Sequence, residues 1–155
     1  MADRLQHIII GVGERLRGDD AAGLITIDLL RHQASILPRL ITCGADPGTI
    51  VEALDQAEFV TIIDAVKTGR AKAGTVHHWD VTKTGLPHEV QSCSTHMVGL
   101  SQSLELARAL GSWPKKINIY GIESADFAFR DGPSDEVKQG AKNAANAILE
   151  VYENA

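Results

Sequence analysis

Runs of continuous or alternating apolar residues take turns with runs of helical spacing along the chain. "LQHIIIGVG", residues 5–13, reads as a buried strand, and "LPRLITCGA", residues 37–45, as a second. "EFVTIIDAV", residues 58–66, is β-branched and apolar on both faces, the pattern of a central strand. "GTVHHWDV", residues 74–81, is a more polar strand, and "KKINIYGIE", residues 115–123, is the last. Between them, "DDAAGLITIDLLRHQA", residues 19–34, places Ala22, Ile25, Leu29 and Leu30 at helical spacing. "PGTIVEALDQA", residues 47–57, is a short helix with Pro47 near its start. "SCSTHMVGLSQSLELARALG", residues 92–111, is a helix capped near Ser94 or Thr95 and stopped at Gly111. A long terminal helix, residues 133–154, opens at Pro133 and Ser134, and its Ala141, Ala144, Ala145, Ile148 and Val151 form a core-facing stripe.

Strands alternating with helices predict an α/β fold, a three-layer α/β/α sandwich around a mostly parallel five-stranded sheet. One connection breaks the pattern. Only about seven residues, "KTGRAKA", join the third strand to the fourth, and a parallel crossover needs roughly a dozen or more. The fourth strand is therefore expected to run antiparallel beside the third or to lie elsewhere in the sheet. Its paired histidines and Trp79 fit an edge. Adjacent His77 and His78 face opposite sides of a strand and read as structural or exposed.

Composition narrows the classes. With 155 residues, no internal repeat and no linker, residues 1–155 are expected to form one domain. Hydrophobic residues make up 44%, which argues against global disorder. A net charge of −5 offers no electrostatic footprint for nucleic acid, and no apolar run is long enough to span a membrane. Two cysteines, Cys43 and Cys93, make no disulfide framework. The start, "MADRLQ", lacks the layout of a signal peptide, and a cytoplasmic location is expected.

The segment "GVGERLRGDDAAG", residues 11–23, carries the chemistry. It resembles a phosphate-binding loop, yet the dinucleotide fingerprint would need glycine where Leu16 stands. Gly13 to Gly18 has the Walker A spacing, but Asp19 and Asp20 replace Lys and Ser/Thr, and two carboxylates repel a phosphate. Asp19 reads as the cap of the following helix. Asp20 is either a first-turn acid or a ligand for a cation.

Asp64 ends the run "FVTIID" at the carboxyl end of a central strand, where sites gather in open α/β sheets, and the loop with Asp20 opens at the same edge. His96 stands in the first turn of a helix, whose field disfavours imidazolium and leaves the ring free for a metal. Each residue alone has an ordinary structural reading. Together, two carboxylates and an imidazole suit a divalent ion such as zinc or nickel.

The segments "GVGERLRGDDAAG", "GADPGTIVEAL", "IIDAVKTGRAKAGTV", "STHMVGL" and "YGIES" together resemble the nickel-dependent hydrogenase maturation endopeptidases, in that family's order and over most of the chain. The resemblance implies metal ligation by Asp20, Asp64 and His96, with Asp20 and Asp64 also catalytic. It implies removal of a C-terminal peptide from the precursor of a [NiFe] hydrogenase large subunit, with nickel contributed by that precursor or replaced by another divalent ion. The family usually has Asn where this chain has Glu14, so Glu14 either adds a ligand or changes substrate contacts. The metal either acts on the scissile carbonyl or water, or serves recognition while a carboxylate such as Asp20 is the base. Cys93, three residues before His96, offers a covalent route. Other classes are a flavodoxin-like small-molecule binding module and a metal-dependent peptidase of unrelated substrate. Lys67, Arg70 and Lys72 read as a solvated basic loop, Asp46 as a turn residue or part of the cleft, and Glu123 as a group behind the ligands.

Overall fold

The computed structural model describes residues 5–33, 39–44, 46–91, 93, 95–128 and 131–153. Its strands are β1 (Leu5–Val12), β2 (Arg39–Cys43), β3 (Ala57–Val66), β4 (Val76–Asp80) and β5 (Lys116–Glu123). Its helices are α1 (Ala22–Gln33), α2 (Pro47–Gln56), α3 (Thr95–Ala109) and α4 (Asp135–Glu153), with a single 3-10 turn, Gly18–Ala21, ahead of α1. The strands form one sheet in the order β2-β1-β3-β5-β4, parallel except for the antiparallel β4–β5 pair. The short link from β3 had left two positions open for β4. It lies at the edge, against β5 rather than against β3, with His78 opposite Tyr120 and Trp79 opposite Ile119.

Alternation along the central strands assigns each face its helices. Ile8, Ile10, Val12, Val60, Ile62, Ile117 and Ile119 pack with Ile50 and Leu54 of α2 and Met97, Leu100 and Leu104 of α3. Ile9, Ile63, Ala65, Tyr120 and Ile122 pack with Ile27 and Leu30 of α1 and with α4. Sheet and two helical layers make the expected sandwich. Most strand isoleucines are fully buried, each stabilising the fold by about 1.5–3 kcal/mol. In α4, Ala141, Ala144, Ala145 and Ile148 are buried as expected. Val151 is not part of that face: it is 59% exposed.

Two element starts differ from the sequence reading. The "GDDA" segment forms the 3-10 turn rather than the first turn of α1. Helix α3 begins at Thr95, and Ser94, one of its two expected caps, lies outside the described residues. For α4 the start signal holds, since Ser134 Oγ accepts from the Val137 N–H at 3.4 Å.

Glycine lets α1 cross directly over the carboxyl ends of β1 and β3. A Cβ on Gly23 would stand 2.4 Å from the carbonyl oxygens of both Val12 and Ile63. Neither is the end of a flexible side chain, so neither can turn aside. Gly23→Ala is therefore expected to push α1 off the sheet and cost about 1–3 kcal/mol, as overpacking does. Chemical denaturation checks it, and a variant as stable as the wild type contradicts this account.

Candidate metal-binding active site

Three elements on the α2–α3 side of the sheet converge at its carboxyl edge. Asp64 shares its strand parity with Val60, Ile62 and Val66, so it points toward α3. The first turn of α3 brings His96 against it, and the 3-10 turn brings Asp20. His96 Nδ1 lies 3.1 Å from Asp20 Oδ1 and 3.3 Å from Asp64 Oδ1. One ligand atom from each residue lies within 4.8 Å of the others, and all three side chains are buried. No other such group of His, Cys, Asp or Glu occurs among the described residues.

The glycine loop uses its amides internally. Gly13 N–H donates to the Cys43 carbonyl at 3.0 Å, Glu14 N–H to the Asp20 carbonyl at 3.3 Å, and Asp20 N–H to the Arg17 carbonyl at 3.1 Å. A Cβ on Gly13 would be 2.1 Å from the Asp20 carbonyl oxygen, so the loop folds this tightly only with glycine there. Amides bonded in this way are not offered to a phosphate, and Asp19 and Asp20 would repel one. The loop instead closes over Asp20.

Asp19 does not cap α1. It is fully buried, and its carboxylate accepts from the Ser134 N–H at 2.7 Å and the Ala125 N–H at 3.0 Å. These bonds tie the 3-10 turn to both ends of the β5–α4 connection. The sequence reading missed the role because its partners are more than a hundred residues away. Asp46, by contrast, is a plain cap: it accepts from Gly48 N–H and Thr49 Oγ1, both at 3.0 Å, at the start of α2.

The electrostatics are those of two carboxylates crowded in a dry place. Burial pushes Asp64 up to about 6, opposed by the hydrogen bond and charge of His96. Burial likewise raises Asp20. The hydrogen bond to Asp64 holds His96 above the ordinary histidine value. Asp64 Oδ1 also accepts from the Ala65 N–H at 2.8 Å, while the Oδ2 atoms of Asp20 and Asp64 are buried with no hydrogen-bond partner. Buried polar atoms are rarely left so. Around a tetrahedral ion with bonds of about 2.1 Å, ligand atoms stand about 3.4 Å apart, close to the separations found here. Two carboxylates and an imidazole fit a borderline divalent ion, and three ligands leave positions open.

The remaining candidates fall outside this cluster. Cys93 Sγ donates to the Glu89 carbonyl at 3.0 Å rather than to His96, and burial raises its thiol pKa, so the covalent route loses its pairing. Glu123, 1% exposed, accepts from Thr68 N–H at 2.8 Å, from Thr68 Oγ1 and from Gly69 N–H, and meets His77 Nε2 at 3.0 Å. It fixes the β3–β4 loop rather than the ligands. Lys67, Arg70 and Lys72 on that loop are exposed. His77 stacks on Trp79 and His78 on Tyr120, the opposite faces expected of neighbours on a strand. Glu14 is exposed and is not in the cluster.

Known proteins match this chain and its fold. A family model described as "Hydrogenase maturation protease" matches residues 28–151. The hydrogenase expression/formation protein HupM of Azotobacter chroococcum is 26% identical over 143 residues, covering 91% of this chain and 68% of its own length. HupD of Thiocapsa roseopersicina is 25% identical, covering 92% of this chain and 66% of its own length. The chain thus spans about two thirds of these curated relatives. Among solved structures, the hydrogenase maturating endopeptidase HybD from E. coli superposes with a TM-score of 0.80 at 20% identity, over 97% of this chain and 93% of that one.

The raised Asp64 and His96 make a pH prediction whose sign is the same for both. A carboxyl with a higher folded than unfolded pKa binds more protons when folded, so stability falls as pH rises from the ordinary carboxylate value through about 6. For His96 the favourable charge is present below its ordinary value and lost as pH rises through the raised one. Metal-free wild type should therefore lose stability relative to Asp64→Asn as pH rises from about 5 to about 7. Denaturant unfolding of both proteins across that range checks it; a constant difference contradicts the shifted carboxyl.

Proposed function

The chain belongs to the hydrogenase maturation protease family, and from that premise we propose that it is the endopeptidase that trims the C-terminal peptide from a nickel-loaded [NiFe] hydrogenase large-subunit precursor. The observation that carries the reading is the buried trio of Asp20, Asp64 and His96 with two carboxylate oxygens left without partners. Such a trio is costly without a cation and incomplete with one. A closed structural site normally supplies four ligands. The positions left open are filled by groups of the precursor, so the ion is bound well only when enzyme, ion and precursor meet. On this reading nickel is part of the substrate, and another divalent ion can stand in for it.

Within that complex the chain's own residues do three things. Asp64, anchored on β3 and held by the Ala65 amide, sets the position of the cation. His96 contributes the neutral nitrogen, after giving up the proton that otherwise lies between it and the carboxylates. Asp20, on the 3-10 turn beneath the glycine loop, would hold the cation and accept the proton of the attacking water through its second oxygen. A divalent ion at this point supplies Lewis acidity toward the scissile carbonyl. Asp20 and Asp64 are the catalytic pair, and Asp20, Asp64 and His96 the ligands.

Nickel-loaded precursor should be trimmed by chelator-treated enzyme, while nickel-free precursor escapes, as the mass of the large subunit will show. Equal trimming of both would contradict the metal-sensing role. His96→Gln should lower trimming about a hundredfold or more, since even groups behind a metal ligand cost ten- to a hundredfold. The variant should keep its far-ultraviolet circular dichroism, and wild-type trimming by it would remove His96 from the ligand set. Cleavage of generic peptides without any precursor would instead favour a peptidase of unrelated substrate.

A further inference from the structure

We infer that Glu14 is a specificity-determining residue that receives an arginine or lysine side chain of the substrate in the cleft beside the metal site. The inference rests on the protease reading above. Next to the glycine loop lies a cleft of about 440 Å³, the size of a small-ligand pocket. Its lining includes Glu14, Arg15, Leu16, Leu24 and Cys43. The lining carries two charged residues, Glu14 and Arg15, and only Arg15 is paired. Arg15 is committed to Asp28, with contacts of 3.0 and 3.3 Å. Cys43 stays a neutral thiol, pushed up to about 11 by burial and then by the charges of Asp64 and Asp46. Glu14 has no ion-pair partner among the described residues, so it is the uncompensated charge of the cleft.

The apolar part of the cleft selects further. Leu16 is 67% exposed, and it shares the lining with Leu24. An aliphatic wall leading to a free carboxylate matches a side chain with an apolar stem and a cationic head. Arginine and lysine have that form. Glu14 also sits where such a contact would matter, because its N–H is bonded to the Asp20 carbonyl at 3.3 Å. Glu14 is not itself a ligand, since it lies outside the cluster whose atoms share one ion.

The test compares wild type, Glu14→Gln and Glu14→Lys on nickel-loaded precursor in which each Arg and Lys flanking the cut is replaced in turn by Gln or Glu. Trimming is followed by mass, and binding of the intact precursor by fluorescence anisotropy. Glu14→Gln should raise KM about tenfold, with a smaller change in kcat, as loss of a charge-assisted contact made in ground and transition states does. One precursor replacement should cause the same loss with wild type and no further loss with Glu14→Gln. Glu14→Lys should regain trimming on the precursor with Glu at that one position. Additive losses at every position, or equal KM for wild type and Glu14→Gln, would overturn the inference. If wild type trims nothing, the protease reading falls, and the binding arm still decides Glu14: equal affinities of wild type and Glu14→Gln overturn it, and a tenfold loss confined to one precursor cation supports it.

Discussion

Two buried carboxylates approach one imidazole nitrogen, at 3.1 and 3.3 Å, and the surrounding structure has to hold them there. Left to themselves they would move apart or take up protons, since like charges in a dry site each oppose the other's ionisation. Three different restraints prevent it. Asp64 is fixed by a strand with parallel partners on both sides. His96 is fixed by a helix whose next residues, Met97 and Leu100, are core. Asp20 has no such element, and its 3-10 turn is held instead by Asp19, whose two backbone bonds reach the far end of the chain. A buried carboxylate thus serves to position its neighbour in sequence.

Close approach of backbones is the second condition. The ends of β1 and β3 and the start of α1 touch without intervening side chains at Gly11 and Gly23. That contact lets the loop after β1 turn back over the sheet edge instead of projecting into solvent. Overpacking at these positions acts on the site as well as on stability, since the same loop carries Asp20. The protein holds a pair of buried carboxylates whose ionisation burial opposes.

If the trio holds an ion as proposed, its three ligands would suit a partner that brings the rest. The cleft beside it is lined by Leu16, Leu24 and Arg15 and by Glu14, which has no ion pair among the described residues. On the function proposed above, recognition would be divided between two places: the trio would read a cation, and the cleft the chain that carries it. The β3–β4 loop is fixed separately by Glu123, and its Arg70 is exposed.

Much of this was legible before any coordinates. The alternation of strands and helices determined the sandwich, and the short link after β3 determined that β4 could not be another parallel strand next to it. Residue types at strand ends and a helix start pointed to Asp20, Asp64 and His96, because ligand chemistry and the edge of an α/β sheet depend on local sequence. Other roles were not legible. The position of β4 against β5 depends on pairing energies between distant segments. Asp19 looked like a helix cap because local pattern carries no information about amides 106 and 115 residues away. Whether Glu14 was a ligand depended on a few ångströms of loop path, and Cys93, close to His96 in sequence, turned to Glu89 instead. The chain's local chemistry determined what the residues are able to do. Only the tertiary structure decided which of them share a volume, because burial and long-range hydrogen bonds exist only once the layers have packed.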